Sequence, residues 1–124
     1  MSLVEALGIE LSCAPKIATA FGGGIAGYGE VCGAVVGAAM VFGLKYGRMR
    51  ADDLEAKKAT AAAVGRFIEV LRAKYGGVRC FDIIGVDLRT PEGADQAKAR
   101  NLHHGFCADL AAFAANEALR ITQG

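Results

Sequence analysis

Four cysteines and two histidines carry the chemistry open to this chain. The thiols lie at positions 13, 32, 80 and 107, and the imidazoles at 103 and 104. Cys32, Cys80 and Cys107 fall on three separate segments. Thiolate is the form of cysteine that attacks disulfides and ligates metals. Three thiolates brought together suit an iron–sulfur or other metal centre, since thiolate is the usual ligand of such clusters. A fourth ligand would come from His103, His104, Cys13, a second subunit or an exogenous group. The same thiols would equally serve a switchable disulfide, which needs only two of them with Cα atoms within about 7 Å. His103 and His104 stand four and three residues before Cys107, so on a helix both reach the face of that thiol. There either histidine could share a metal with it or act as its base. The absence of any CxxC pair argues against a zinc ribbon, a thioredoxin-type active site and c-type haem attachment.

The elements that position these groups begin with FGGGIAGYGEVCGAVVGAAMVFGLK, residues 21–45. Seven of the chain's seventeen glycines lie between Gly22 and Gly37. Gly22–Gly29 reads as loop and Glu30–Tyr46 as an almost wholly apolar helix, with Cys32 in its first turn. The partial positive charge of a helix N-terminus favours thiolate there, and the neighbouring Glu30 carboxylate acts the other way. Backbone amides at such a helix start can hold an anion or cofactor, which makes Gly29 and Gly33 the candidate cofactor-binding positions. Gly22-x-Gly24-x-x-Gly27 matches the dinucleotide fingerprint letter for letter, but no strand precedes it and no βαβ unit surrounds it, so that reading is rejected. Gly33, Ala34, Gly37 and Ala38 leave little side chain on one side of the helix, where another backbone can approach closely.

Elsewhere the pattern is helical. Leu3, Val4, Leu7, Ile9 and Leu11 suggest a short turn broken at Gly8, and Ser12 reads as an N-cap with Pro15 in the first turn. Asp52 or Asp53 caps a helix over Asp53–Tyr75, whose stripe is Ala61, Val64, Ile68, Leu71 and Tyr75. Gly76-Gly77 ends it. Val78–Ile84, carrying Cys80, is one or two helical turns or a brief strand. Gly85–Lys98, with Thr90, Pro91 and Gly93, reads as loop, and Ala99–Ile121 as the last helix, carrying Cys107.

The 124 residues amount to one domain, 1–124, able to bury roughly two thirds of its unfolded surface without disulfides. Hydrophobic residues make up 53%, with two prolines and no tryptophan, which favours helix. A net charge of +1 gives no electrostatic case for nucleic acid or an anionic membrane. The longest uncharged apolar stretch, Val31–Leu44, falls short of the roughly 20 residues of a membrane span. No basic n-region precedes an apolar core, so the location expected is cytoplasmic, where cysteines stay mostly reduced. The fold expected is all-α, a compact bundle of about five helices with the Gly/Ala-rich helix at its centre.

On these residues the chain resembles the prokaryotic C_GCAxxG_C_C family of redox-active proteins. The most specific element is Cys32-Gly33-Ala34-Val35-Val36-Gly37. RCFDIIGVDL is similar to the family segment around its third cysteine, here Cys80, and the last helix matches the fourth at Cys107. The likeness spans most of residues 16–120. It implies a small helical domain whose cysteines do redox work. Selenoprotein relatives imply reactive thiol chemistry, and a similar domain in split-Soret-type cytochromes implies metal ligation. The family's first cysteine lies further N-terminal, before a leucine-rich helix. This chain starts near what would be the end of that helix, at Val4-Glu5-Ala6-Leu7-Gly8, which reads as a truncated N-terminus. Cys13 has no counterpart in the family pattern, so only Cys32, Cys80 and Cys107 carry over.

The expectation is therefore a redox-active cysteine protein. Cys32, Cys80 and Cys107, with His103 as a further metal ligand, would form one site holding an iron–sulfur or other metal centre for electron transfer with a donor and acceptor the sequence does not name. A metal-free thiol–disulfide oxidoreductase or redox sensor is the alternative, and a non-catalytic helical interaction module the second. Exposed apolar helix faces favour a homodimer.

Overall fold

The computed structural model describes residues 3–123; Met1, Ser2 and Gly124, the ends of the expected domain, lie outside them. The chain is all-α. Its helices are α1 (Leu3–Ala6), α2 (Ala14–Ala18), α3 (Gly33–Tyr46), α4 (Leu54–Tyr75), α5 (Cys80–Ile84), α6 (Pro91–Ala99) and α7 (Phe106–Gln123), with a 3-10 turn over Thr19–Phe21. None of the helices among the described residues is long and apolar enough to cross a membrane.

The core is a bundle of α3, α4 and α7, with the Gly/Ala-rich α3 packed against both others. Val35, Ala38 and Phe42 of α3 meet Ala63, Phe67 and Leu71 of α4 and Ala114, Ala118 and Ile121 of α7. Phe42 and Phe67 are fully enclosed and meet edge to face, with ring centroids 5.8 Å apart, an arrangement the ring quadrupoles favour. The buried line of α4 is thus Ala63–Phe67–Leu71, one residue per turn, flanked by Val64, Ile68 and Tyr75. Ala61, expected on that stripe, is exposed; the helix is turned so that the bulky Phe67 takes the centre. Asp53 caps α4, its carboxylate accepting from the Ala56 amide at 3.1 Å, and Gly76 ends it in the left-handed conformation.

Several stretches differ from the sequence reading. The cap of α2 is Cys13 rather than Ser12. Residues 91–99 are helical rather than loop: the Thr90 hydroxyl accepts from the Gly93 amide at 2.9 Å, and Pro91 occupies the first turn, where its missing N–H costs nothing. Gly93 is buried against the Asp87 carbonyl with no room for a side chain, so its glycine is a packing requirement rather than a loop signal. The last helix begins only at Phe106, because residues 101–105 form a turn around Asn101, whose φ is +51°. His103 and His104 therefore sit on a turn and not on the helix of Cys107.

A second cluster lies beside the bundle. Cys80, Ile84, Val86, Ala97 and Leu102 pack together, with Ile83, Leu88 and Cys107 against them. It is tied to α3 by one isolated antiparallel bridge, Val31 with Arg79. The Cys32 amide donates to the Val78 carbonyl at 2.8 Å, and the Cys80 amide donates to the Glu30 carbonyl at 2.7 Å. Segment 78–84 thus combines both expected forms, a paired residue followed at once by a helical turn.

Candidate functional site

Cys32, Cys80 and Cys107 line one cavity of about 220 Å³ between the two hydrophobic clusters. Its walls also include Gly22, Gly23, Gly24, Gly33, Leu102 and His103. Each thiol arrives at the start of a helix. Cys32 is the N-cap of α3, with its side chain making no cap hydrogen bond. Cys80 is the first residue of α5 and Cys107 the second of α7. α3 starts at Gly33, three residues later than expected, so Cys32 stands at the helix end instead of within its first turn. The bridge explains this, since the Cys32 amide is already committed to Val78.

Cys80 is buried and Cys107 half-buried. Burial pushes the Cys80 thiol up to about 11, and the neighbouring Cys32 and Cys107 thiols push in the same direction. Cys107 is raised by burial and then by Cys32. Burial in apolar surroundings disfavours the charged form, and so does a like charge close by. At neutral pH both thiols therefore hold their protons. Each of the three thiols thus neighbours the other two.

The glycine loop, residues 22–30, forms one wall. Gly23, Gly24, Ile25, Ala26 and Gly27 all have positive φ, between +53° and +80°, a left-handed turn that costs L-residues roughly 1–2 kcal/mol each. At Gly24 an added Cβ would lie 2.5 Å from the Cys80 Cβ and 2.6 Å from the Glu30 carbonyl oxygen. Only a glycine lets the loop close onto Cys80 in this way. Gly33 packs against the Phe21 carbonyl, 2.8 Å from where its Cβ would be, so it seats the start of α3 on the loop's entry. Gly29 is not in the cavity wall; its amide donates to the Gly23 carbonyl and its own carbonyl accepts from Phe81. A 3-10 turn, not a strand, leads into Gly22-x-Gly24-x-x-Gly27, and the loop's amides from 25 to 30 bond to its own backbone and to the 3-10 turn before it.

His103 lines the cavity while His104 does not. Cys13 is exposed and outside the cavity wall. Three thiols and an imidazole are donors of the type a soft metal takes. Their spacing is not that of a formed coordination shell: among the described residues no group of three His, Cys, Asp or Glu side chains converges to hold an ion. Sequence reasoning missed Leu102 and Leu88, which close the cavity's apolar side, and Ile25 and Ala26, whose left-handed conformation no local pattern marks.

A family model described as "Putative redox-active protein (C_GCAxxG_C_C)" matches residues 1–121. No curated protein and no solved structure matches the chain.

Proposed function

The chain belongs to the C_GCAxxG_C_C family of redox-active cysteine proteins, and from that premise we propose that Cys32, Cys80 and Cys107 act as one redox site exchanging thiols for a disulfide with a partner. The observation that carries this reading is the convergence of three thiols, from three helix starts, on one cavity. Dithiol chemistry needs only two sulfurs to meet, and Cys32 neighbours both others.

The Cys32 thiolate attacks one sulfur of a partner disulfide and forms a mixed disulfide, releasing the partner's other sulfur as thiolate. Cys80 or Cys107 then loses its proton and attacks the Cys32 sulfur, and the partner's second sulfur leaves. Two electrons pass from the protein to the partner, which ends as a dithiol after taking two protons. The raised Cys80 and Cys107 suit the resolving role, since they stay protonated until needed. His103, on the cavity wall, would be the base that receives that proton.

A second reading is supported by the donor set. Cys32, Cys80 and Cys107, with His103, would hold an iron–sulfur or other metal centre if the thiols were drawn together, and it would supply one-electron transfer. One set of measurements separates the two. Anaerobically purified protein is assayed for iron, other metals and acid-labile sulfide, and metal-free protein is treated with oxidised glutathione and mapped by mass spectrometry. A Cys32–Cys80 or Cys32–Cys107 bridge, lost in Cys32→Ser, is the expected result. Stoichiometric metal whose loss follows Cys80→Ser would favour the second reading. Neither bridge nor metal would leave the glycine-rich helix a packing element of an interaction module.

A further inference from the structure

We propose that the glycine loop is a redox-responsive gate, sprung against Cys80 in the dithiol form and released when the site forms a disulfide. The inference rests on the dithiol reading above. Two observations independent of that reading carry it: the loop holds a left-handed run that includes two residues with side chains, Ile25 at φ +66° and Ala26 at φ +53°, and it is clamped at points that belong to the thiol-bearing helices.

Backbone held in such a region persists only where its surroundings over-determine it. Here the surroundings are specific. At one end Gly33, the residue after Cys32, packs on the Phe21 carbonyl. At the other, the Glu30 carbonyl accepts from the Cys80 amide, and the Gly29 carbonyl accepts from Phe81 at 3.1 Å. In the middle Gly24 sits against the Cys80 Cβ, and Gly23 lies near Leu88. The tip is held by the Arg89 guanidinium, 5.7 Å from the centre of the Tyr28 ring and itself fixed by Asp87. The three cysteines are free thiols, so a bridge must draw the Cys32 sulfur towards Cys80 or Cys107, and those sulfurs are carried on the backbone at the starts of α3, α5 and α7. That motion acts on the loop's own anchors, and a strained turn that loses its anchors relaxes. Tyr28, 61% exposed, and Ile25, 41% exposed, lie on the loop, so its release changes an apolar surface that a partner can read.

The test compares reduced protein with protein oxidised by oxidised glutathione, which takes up two electrons and two protons as two thiols. The bridge is verified by mass spectrometry. Amide exchange across residues 24–30 and chymotryptic cleavage after Tyr28 are then followed in both states. Exchange faster by about tenfold in the oxidised form, with cleavage at Tyr28 accelerated and both reversed by dithiothreitol, is the expected result. The double variant Ile25→Gly/Ala26→Gly, in which the turn carries no strain, should shrink that difference severalfold. A verified bridge with loop exchange and cleavage unchanged overturns the gate and leaves the dithiol reading standing. An undiminished difference in the double variant overturns the strain as its source. Failure to form any bridge overturns both the gate and the dithiol reading.

Discussion

Cys32 and Cys80 are held in register by the same strand-like pairing, the first amide donating to the Val78 carbonyl at 2.8 Å and the second to the Glu30 carbonyl at 2.7 Å. Each stands one residue beyond the Val31–Arg79 bridge. Their environments nevertheless differ, since Cys80 is 8% exposed and Cys32 only partly covered. Alkylation by iodoacetamide, followed by peptide mass spectrometry, should modify Cys13 and Cys32 well before Cys80. The Cys80 rate should continue to rise until about pH 11, the value to which its thiol is pushed. Equal rates for Cys32 and Cys80 at pH 8 would contradict the burial described.

Gly24→Ala should destabilise the fold by about 2–4 kcal/mol, combining the clash at the Cys80 Cβ with the positive φ of +71°. Gly65→Ala is the contrasting case. It lies on the exposed face of α4, where an added Cβ meets nothing within 4 Å, and should stabilise by up to about 1 kcal/mol. Urea denaturation of the two variants checks both signs.

Stability should fall as the solution is made alkaline. Cys80 and Cys107 keep their protons to higher pH in the folded chain than in the unfolded one, where thiols titrate near 9.0. The folded state binds more protons between pH 9 and about 11, so the unfolding free energy decreases across that window and is undiminished below it. Solvent screening of the part-exposed thiols trims the loss to about 1–2 kcal/mol. Thermal melts at pH 8, 9.5 and 11 measure it, and Cys80→Ala should flatten the profile.

Phe67→Ala should cost about 3–5 kcal/mol, the usual penalty for emptying an enclosed aromatic site. Its ring is 1% exposed and stacks edge-on against Phe42. Chemical denaturation checks the size of the loss. Glutathione-driven bridging of the folded fraction should persist, because Phe67 is not in the cavity wall.

Much of the fold could be read along the chain because it is written locally. The α4 helix announces itself through Asp53, its apolar spacing and Gly76, and α3 through its long apolar run. The α6 helix was hidden by Pro91 and Gly93, which look like loop residues until Thr90 is recognised as a cap. The turn at Asn101 that lifts the histidines off α7 depends on a single left-handed residue and leaves no periodic trace. The three thiols were identifiable from their motif. One site shared by all three was expected as well, but the pairing of residues 31 and 79 that sets Cys32 beside Cys80 was not, because it joins segments far apart in the chain. Left-handed Ile25 and Ala26 were unreadable for the same reason: tertiary anchors, not propensity, hold them.

The bridge between Val31 and Arg79 joins the residues just before α3 and just after α4, so it closes the mouth of a helical hairpin. Pairing residues 31 and 79 across an open chain costs loop-closure entropy, and docking α3 on α4 through Phe42 and Phe67 brings them together beforehand. The docked hairpin and the neighbouring of Cys32 and Cys80 go together in the folded chain. In an unfolded chain the two thiols stand apart, so the juxtaposition of Cys32 and Cys80 is itself a mark that the hairpin beneath them has formed.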